Sequence, residues 1–449
     1  MNNFPTEVKQ KLNDIIDDIA SVSWLYCTNP GHNFIRNRKL SFAETMKLII
    51  AMEGDTVNKE IMEYFNYDLE SAPSQSAFNQ QRSHIKPEAF EVAFKDFVDA
   101  YPPTQSYDGY RILACDGSNI VYTTNPDNVD DYVTYKTRIG HNYNQLHLNA
   151  LYDIVNRVFV DAIIHPGVKS DERAALKQMI NHYECADPGH TIITADRGYE
   201  SYNLIAQLLE NNLKFVLRAK DFTSRNSITS TYKDEYPDTP EFDVIVKRFI
   251  SRSKAKEILS NPEVFKYIKP SKNFDYLHLG DKPGLYYISF RIVRIKVSDD
   301  NYECLITNLS DWEFPPDKLK DIYHLRWGIE TVFRQLKYAV GLTNFHSKKV
   351  EYIKQKIFAK LIVHNFSEII ASHASISRNR KLKNKHNYKI NYTMAAKICH
   401  RFLKLPFNTS PPDIIGWIQR FLSVDKNTER MFPRPLRGIG AVSFLYRVS

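Results

Sequence analysis

Apolar positions recur at helical spacing through the first hundred residues. Ser41 precedes the run Phe42, Met46, Ile49 and Ile50, and Glu44 follows Ser41 by three, the pattern of a capping box opening a helix. Further helices are expected over Asn58–Phe65, over Gln75–Ile85 after the Pro73-Ser74 break, and from Pro87 onward. Tyr101-Pro102-Pro103-Thr104 reads as a linker. The period then changes. Arg111–Cys115 is a short apolar run ending at Asp116; Gln145–Ile154 and Arg157–Ile164 are strand-like around a turn at Asn156; His190–Ala195 is a buried strand ending at Asp196, and Lys214–Leu217 is another. Helices are expected over Asp171–Tyr183 and Ser201–Asn211. Strand, strand, strand, helix, strand, helix, strand predicts an α/β layer with a mixed sheet.

Residues 221–310 break that alternation. Their β-branched and aromatic stretches, Asp243–Phe249, Leu285–Val297 and Glu303–Thr307, predict a β-rich insertion that projects from the core rather than joining its sheet. A long helix is expected from near Pro316 through Lys337, and the tail from about Asn344 is helical again. The partition is then 1–105, 106–220, 221–310, 311–345 and 346–449: helical, α/β core, β insertion, core helix, helical tail.

Composition sharpens the function class. The 449 residues are 43% hydrophobic and 25% charged, as in an ordinary globular chain. A net charge of +8 favours polyanionic partners. The five cysteines are widely spaced, with no C-x-x-C pair, so neither a zinc knuckle nor a disulfide framework is indicated. No run of ~18 apolar residues exists to span a membrane, and the N-terminus lacks a signal pattern. The expectation is a cytoplasmic nucleic-acid-binding protein.

Three carboxylates carry the chemistry. Asp116 and Asp196 each end an apolar strand and are followed closely by Gly117 and Gly198, where a sheet exposes functional side chains. Taken singly, either is also the signature of a plain turn. The third is Glu330 in Tyr323-x2-Arg326-x3-Glu330-x6-Lys337, whose spacings align the four side chains on one face of a continuous helix. An exposed helix with an Arg326–Glu330 ion pair is the alternative. Together the acids suit hard divalent ions, Mg²⁺ or Mn²⁺, with two ions able to serve phosphoryl transfer.

The motif at 323–337 resembles the hallmark helix of the insertion-sequence-four family of bacterial transposases, and LACDGSNI and TADRGYES resemble that family's two aspartate blocks. The resemblance spans about residues 105–345. It implies an RNase H-like catalytic core interrupted by a β-rich insertion, cut-and-paste transposition, and often a DNA hairpin. It implies that Asp116, Asp196 and Glu330 hold metal, that Tyr323, Arg326 and Lys337 hold the transferred DNA end, and that a homodimer works on double-stranded DNA. Trp312 and Trp327 are candidates for the tryptophan that some members use beside a flipped base; both also suit packing. Two rivals remain, a transposase-derived DNA-binding protein without activity and a nuclease of the same fold without strand transfer.

Other contacts to DNA are expected. Gln75, Asn79, Gln80 and Arg82 could form a recognition helix, or a polar face of a bundle. Arg378–Lys389 carries six Lys/Arg and no acids, suiting phosphate contacts or a solvated loop. Arg218 and Lys220 follow the last core strand as phosphate contacts; His141 and His147 show no metal-ligand spacing and are read as structural or phosphate-contacting.

Overall fold

The computed structural model describes residues 3–36, 38–122, 124–133, 142–183, 186–277, 284–298, 301–343, 345, 347–378, 388–406 and 412–424. His141, Cys185 and positions 379–387 of the basic stretch lie outside them. The chain opens with helices α1 (Phe4–Ser21), α2 (Phe42–Ala51), α3 (Val57–Tyr64), α4 (Gln75–Ser83) and α5 (Glu88–Asp99). Ser41 caps α2 by accepting the Glu44 N–H at 3.1 Å. Ser74 does the same for Ala77 at the start of α4.

The central segment follows as β1 (Arg111–Tyr122), β2 (Tyr132–Val133), β3 (Tyr143–Asp153), β4 (Val158–Pro166), α6 (Glu172–His182), β5 (Thr191–Ala195), α7 (Tyr202–Glu210) and β6 (Lys214–Ala219). Next come α8 (Ile228–Thr231), β7 (Phe242–Ser251), α9 (Lys256–Ser260), β8 (Phe265–Tyr267), β9 (Leu285–Ser298) and β10 (Asn301–Thr307). The last part holds α10 (Pro316–Leu325), α11 (Trp327–Tyr338), α12 (Val350–Arg378), β11 (Tyr388–Ile390), α13 (Tyr392–Lys404), α14 (Ile414–Arg420) and β12 (Leu422–Val424).

One mixed sheet dominates, in the order β2-β3-β1-β5-β6-β10-β9-β7-β8 with β4 also on β3. β1, β5 and β6 run parallel, and the β3–β4 hairpin is antiparallel beside them. Its first part, β4-β3-β1-β5-β6 with α6 and α7, is the α/β layer with a mixed sheet that the alternation of elements predicts. Apolar alternation sorts its two faces. Leu113, Cys115, Ile193 and Phe215 pack under α6 and α7. Ala114, Leu148 and Ala150 meet α11 and α12 on the other side, and Ile112, Ile192 and Val216 meet α10 there.

Three expectations need correction. The β-rich segment does not project: β10 pairs antiparallel with β6, Cys304 opposite Ala219 through Thr307 opposite Val216, and β9, β7 and β8 continue the same sheet. The reason is the β6 edge, whose backbone groups need partners; Thr307 Oγ1 adds a bond to the Phe215 carbonyl at 2.6 Å. Second, β1 does not stop at Asp116 but runs on to Tyr122 against β3. Only its pairing with β5 ends, at Cys115 opposite Ala195. Third, the expected long helix is two, α10 and α11, broken at Arg326. Bonds from the Arg326 N–H to the Tyr323 carbonyl and from the Ile329 N–H to the Arg326 carbonyl tighten the turn to i→i+3 spacing.

The terminal helices share one core. Val8 and Leu12 of α1, Met46 and Ile49 of α2, Phe90 and Phe94 of α5, Ile362 and Phe366 of α12, and Ala396 and Phe402 of α13 form a single buried cluster with the α11 face of the sheet. α12 is its spine. Asn365 bonds both the N–H and the carbonyl of Phe159, and Glu368 holds Arg157 through two oxygens at 3.0 and 2.8 Å, fastening α12 to β4.

Candidate active site

The three acids reach the site from three elements. Asp116 lies within β1, at the point where β5 leaves its side; Asp196 is the first residue beyond β5. Since Cys115 is opposite Ala195 in parallel register, the two aspartates emerge side by side on neighbouring strands. Each carboxylate is held by a backbone N–H close by in sequence. Asp116 accepts the Gly117 N–H at 2.9 Å, and Asp196 accepts the Gly198 N–H at 2.7 Å. Glu330 arrives from the first turn of α11, the end of a helix that favours negative charge.

Burial pushes the Asp116 carboxyl up to about 6, and repulsion from Asp196 and Glu330 adds to the rise against the opposing Gly117 N–H and Arg326. Arg326 stands between two of the acids, 3.1 Å from Glu330 and 3.8 Å from Asp116. A mutually repelling, partly buried carboxylate group with a wedged cation is a donor set suited to a divalent ion. As placed, no three His, Cys, Asp or Glu side chains among the described residues stand close enough to hold one together.

Asp116, Gly117, Ser118, Glu330, Phe333, Arg334, Lys337 and Tyr338 line an open cleft of about 350 Å³. Burial lowers the Lys337 ammonium. A cleft of about 370 Å³ between α1, α2 and the end of α13 has Lys9, Lys47 and Lys404 with Glu44 on its walls, but none of the three acids.

The other anticipated residues divide. Tyr323 is buried at 2% exposure in the core beneath α10. Arg326 is itself buried, its guanidinium 5.5 Å from the Tyr323 ring centre and 5.4 Å from that of Trp327. Arg218 is paired with Glu303 on β10 at 2.8 Å rather than offered to solvent, whereas Lys220 is exposed. Trp312 is 82% exposed and Trp327 39%.

On α4, Gln75 and Gln80 are exposed and Asn79 half-buried. Arg82 must be withdrawn as a base reader. It is buried, donates to Gln355 Oε1 at 2.9 Å and to the Tyr352 carbonyl at 2.7 Å, and lies over the Tyr352 ring. Burial brings its guanidinium down to about 10. The cause is α12, against which α4 docks.

Sequence reasoning missed Glu172 and undervalued His147. Glu172 opens α6, and its Oε1 lies 3.1 Å from His147 Nε2. Asn119 Oδ1 lies 2.7 Å from His147 Nδ1. The cross-strand pairing of Asn119 with His147 and of Gly117 with Asn149 sets these side chains on one face. The available signal was the helix start Asp171-Glu172 directly after a strand.

Residues 107–366 match the family model described as the transposase DDE domain. No curated protein matches the chain. Among solved structures, the cryo-EM structure of a piggyBac transposase synaptic complex with hairpin DNA is similar at 10% identity and a TM-score of 0.44, over 94% of this chain and 84% of that one. So distant a likeness carries no argument.

Proposed function

The chain belongs to the transposase DDE domain family, and from that premise we propose that it cleaves and joins DNA at the ends of a mobile element by metal-dependent phosphoryl transfer. It is a DDE-type DNA transposase. The proposal adds the residues: Asp116, Asp196 and Glu330 as the acids, with Mg²⁺ or Mn²⁺, two ions, as the metal. The observation that carries it is the meeting of Asp116 and Glu330 with Lys337 and Arg334 at one cleft, with Asp196 near enough to Asp116 to raise its carboxyl. The motif at 323–337 supports membership of the insertion-sequence-four group and a hairpin route.

When bound, a divalent ion supplies an activated oxygen nucleophile and stabilises the leaving oxygen. The chain's own residues do the rest. Asp116, Asp196 and Glu330 would hold it. Lys337 and Arg334 on the cleft wall grip backbone phosphates of the DNA end. Arg326 holds Asp116 and Glu330 together before the ion arrives and stays protonated throughout. Lys220, Gln75, Asn79 and Gln80 offer further polar contacts to double-stranded DNA, and the working species is a homodimer on two ends. Among the described residues no helix is long and apolar enough to cross a membrane.

The test is incubation of the purified chain with labelled element ends and Mg²⁺ or Mn²⁺, with Asp116→Asn, Asp196→Asn and Glu330→Gln in parallel. Cleavage and joined product by the wild type, both lost in each variant with DNA-end binding retained, is the expected result. Cleavage without joining would favour a nuclease, and binding without cleavage an inactive relic.

A further inference from the structure

The two aspartate-bearing segments are joined by a contact that the three acids do not explain. The Glu172 carboxylate spans the glycines that follow the aspartates. A Cβ placed on Gly117 would collide with His147 Nε2 and lie 2.7 Å from Glu172 Oε1; one placed on Gly198 would lie 2.9 Å from Asp196 Oδ1 and 3.4 Å from Glu172 Oε2. Oε1 thus sits over the β1 glycine and Oε2 over the β5 exit turn. The neighbouring Arg173 Nε bonds the Gly198 carbonyl at 2.8 Å, a second tie from α6 to that turn. Behind Glu172, His147 is held in turn by Asn119.

The alternation of β1 puts Asp116 and this assembly on opposite faces of the strand. Cys115 packs in the α6 core and Ala114 in the α11 core. Asp116 therefore points with Ala114 toward α11, and Gly117 lies on the α6 face, where Glu172 and His147 fill the space a side chain would take. Glu172 thus reaches the backbone after Asp116 from the opposite face of β1, and at the β5 exit turn it comes beside the Asp196 carboxylate.

We propose that Glu172 is a positioning residue for the phosphoryl-transfer site: held by His147 and Asn119, it braces the β1 backbone at Gly117 and the turn after Asp196 and so sets the spacing of the two aspartates. This rests on the reading of Asp116 and Asp196 as ion-holding acids. Groups that orient ligands without touching the metal characteristically change its affinity by 10–100-fold.

The experiment is calorimetric titration of the full-length, DNA-free protein with MnCl₂, beside thermal melting without ions. Glu172→Ala is expected to weaken Mn²⁺ binding about tenfold, and Glu172→Gln, whose amide oxygen still accepts from His147, to stay within about threefold of wild type. His147→Gln, which releases the brace from behind, is expected to match Glu172→Ala and keeps the test open should that variant fail to fold. Unchanged Mn²⁺ affinity in both Glu172→Ala and His147→Gln overturns the proposal. So does Glu172→Gln losing as much as Glu172→Ala, since the charge itself would then be in use and Glu172 would be a ligand. Asp116→Asn separates the two levels. If it binds Mn²⁺ like the wild type, the underlying acid reading fails; if it alone loses binding, only the brace does.

Discussion

Asp116 is held in a place that a carboxylate resists. Burial, with Asp196 and Glu330 nearby, lifts its carboxyl to about 6, so between roughly pH 4 and 6 the folded chain binds more protons than the unfolded one. Stability from this group is therefore lost as pH rises through that window. Asp116→Asn should stabilise the ion-free protein at pH 7.5 by about 1–3 kcal/mol and give no gain near pH 4, as read by denaturant melts at the two pH values. A wild type as stable as the variant at pH 7.5 would count against the burial of this charge. Glycines make a second residue-scale contrast. Gly117→Ala drives a methyl into His147 and Glu172 and should cost about 1–3 kcal/mol. Gly328→Ala meets only Ile154 Cγ2 at 3.6 Å inside α11 and should stabilise by about 0.5–1 kcal/mol. Thermal melts that ranked the two variants the other way would show the α6 contact or the Arg326 break to be misjudged.

At the scale of elements, the motif at 323–337 is carried by two helices that meet at Arg326, whose own backbone is still helical. The observed pair buries Tyr323 under the sheet, sets Arg326 between the acids and leaves Glu330 in a fresh first turn, with Lys337 two turns further along the cleft. Lys337→Ala should therefore weaken binding of cleaved DNA ends several-fold at physiological salt, with a shallower salt dependence because one phosphate contact is gone. Its Mn²⁺ affinity should remain as in the wild type. Fluorescence anisotropy over a salt series reads the first two quantities, and an unchanged salt slope would remove Lys337 from the phosphate contacts. The strands, the capped helices and the three acids were legible because each is written in a local pattern: alternation, Ser41 before Glu44, an acid at the end of an apolar run. The break was not, since Tyr323–Lys337 has good helical periodicity throughout and no proline marks the turn. The joining of β10 to β6 was equally hidden. Alternation identifies a strand but not its neighbour, and that pairing connects residues some 90 positions apart in sequence.

For the whole molecule the same limit appears in α12, and it yields the broadest prediction. Residues 355–368 of the helix are buried throughout, yet they include Gln355, Lys356, Lys360, His364, Asn365, Ser367 and Glu368. A sequence reading takes such residues for a wet face. All but Ser367, which bonds the Val363 carbonyl within the helix, find partners far away. Gln355 donates to the Arg82 and Ile85 carbonyls, Lys356 to the Glu53 carbonyl and Lys360 to the Met52 carbonyl, the last two satisfying the C-terminal end of α2. The N-terminal helices thus complete the environment of a helix that also fastens to β4 through Asn365 and Glu368. Removing residues 1–106 would strip Gln355, Lys356 and Lys360 of those carbonyls, at about 1–3 kcal/mol for each buried polar group left unpaired, and would expose the apolar surface now shared with α1, α2 and α5. Against a typical total stability of about 5–15 kcal/mol, that loss is decisive. A fragment of residues 107–449 is expected to bind a hydrophobic dye and melt without cooperativity. Co-expression with residues 1–106 as a separate chain, cut at the proline linker, should restore a cooperative transition and a complex that survives size-exclusion chromatography. A fragment that folded and melted cooperatively alone would mean that the sheet and α12 are self-sufficient, and that the N-terminal helices are an appendage rather than part of the core.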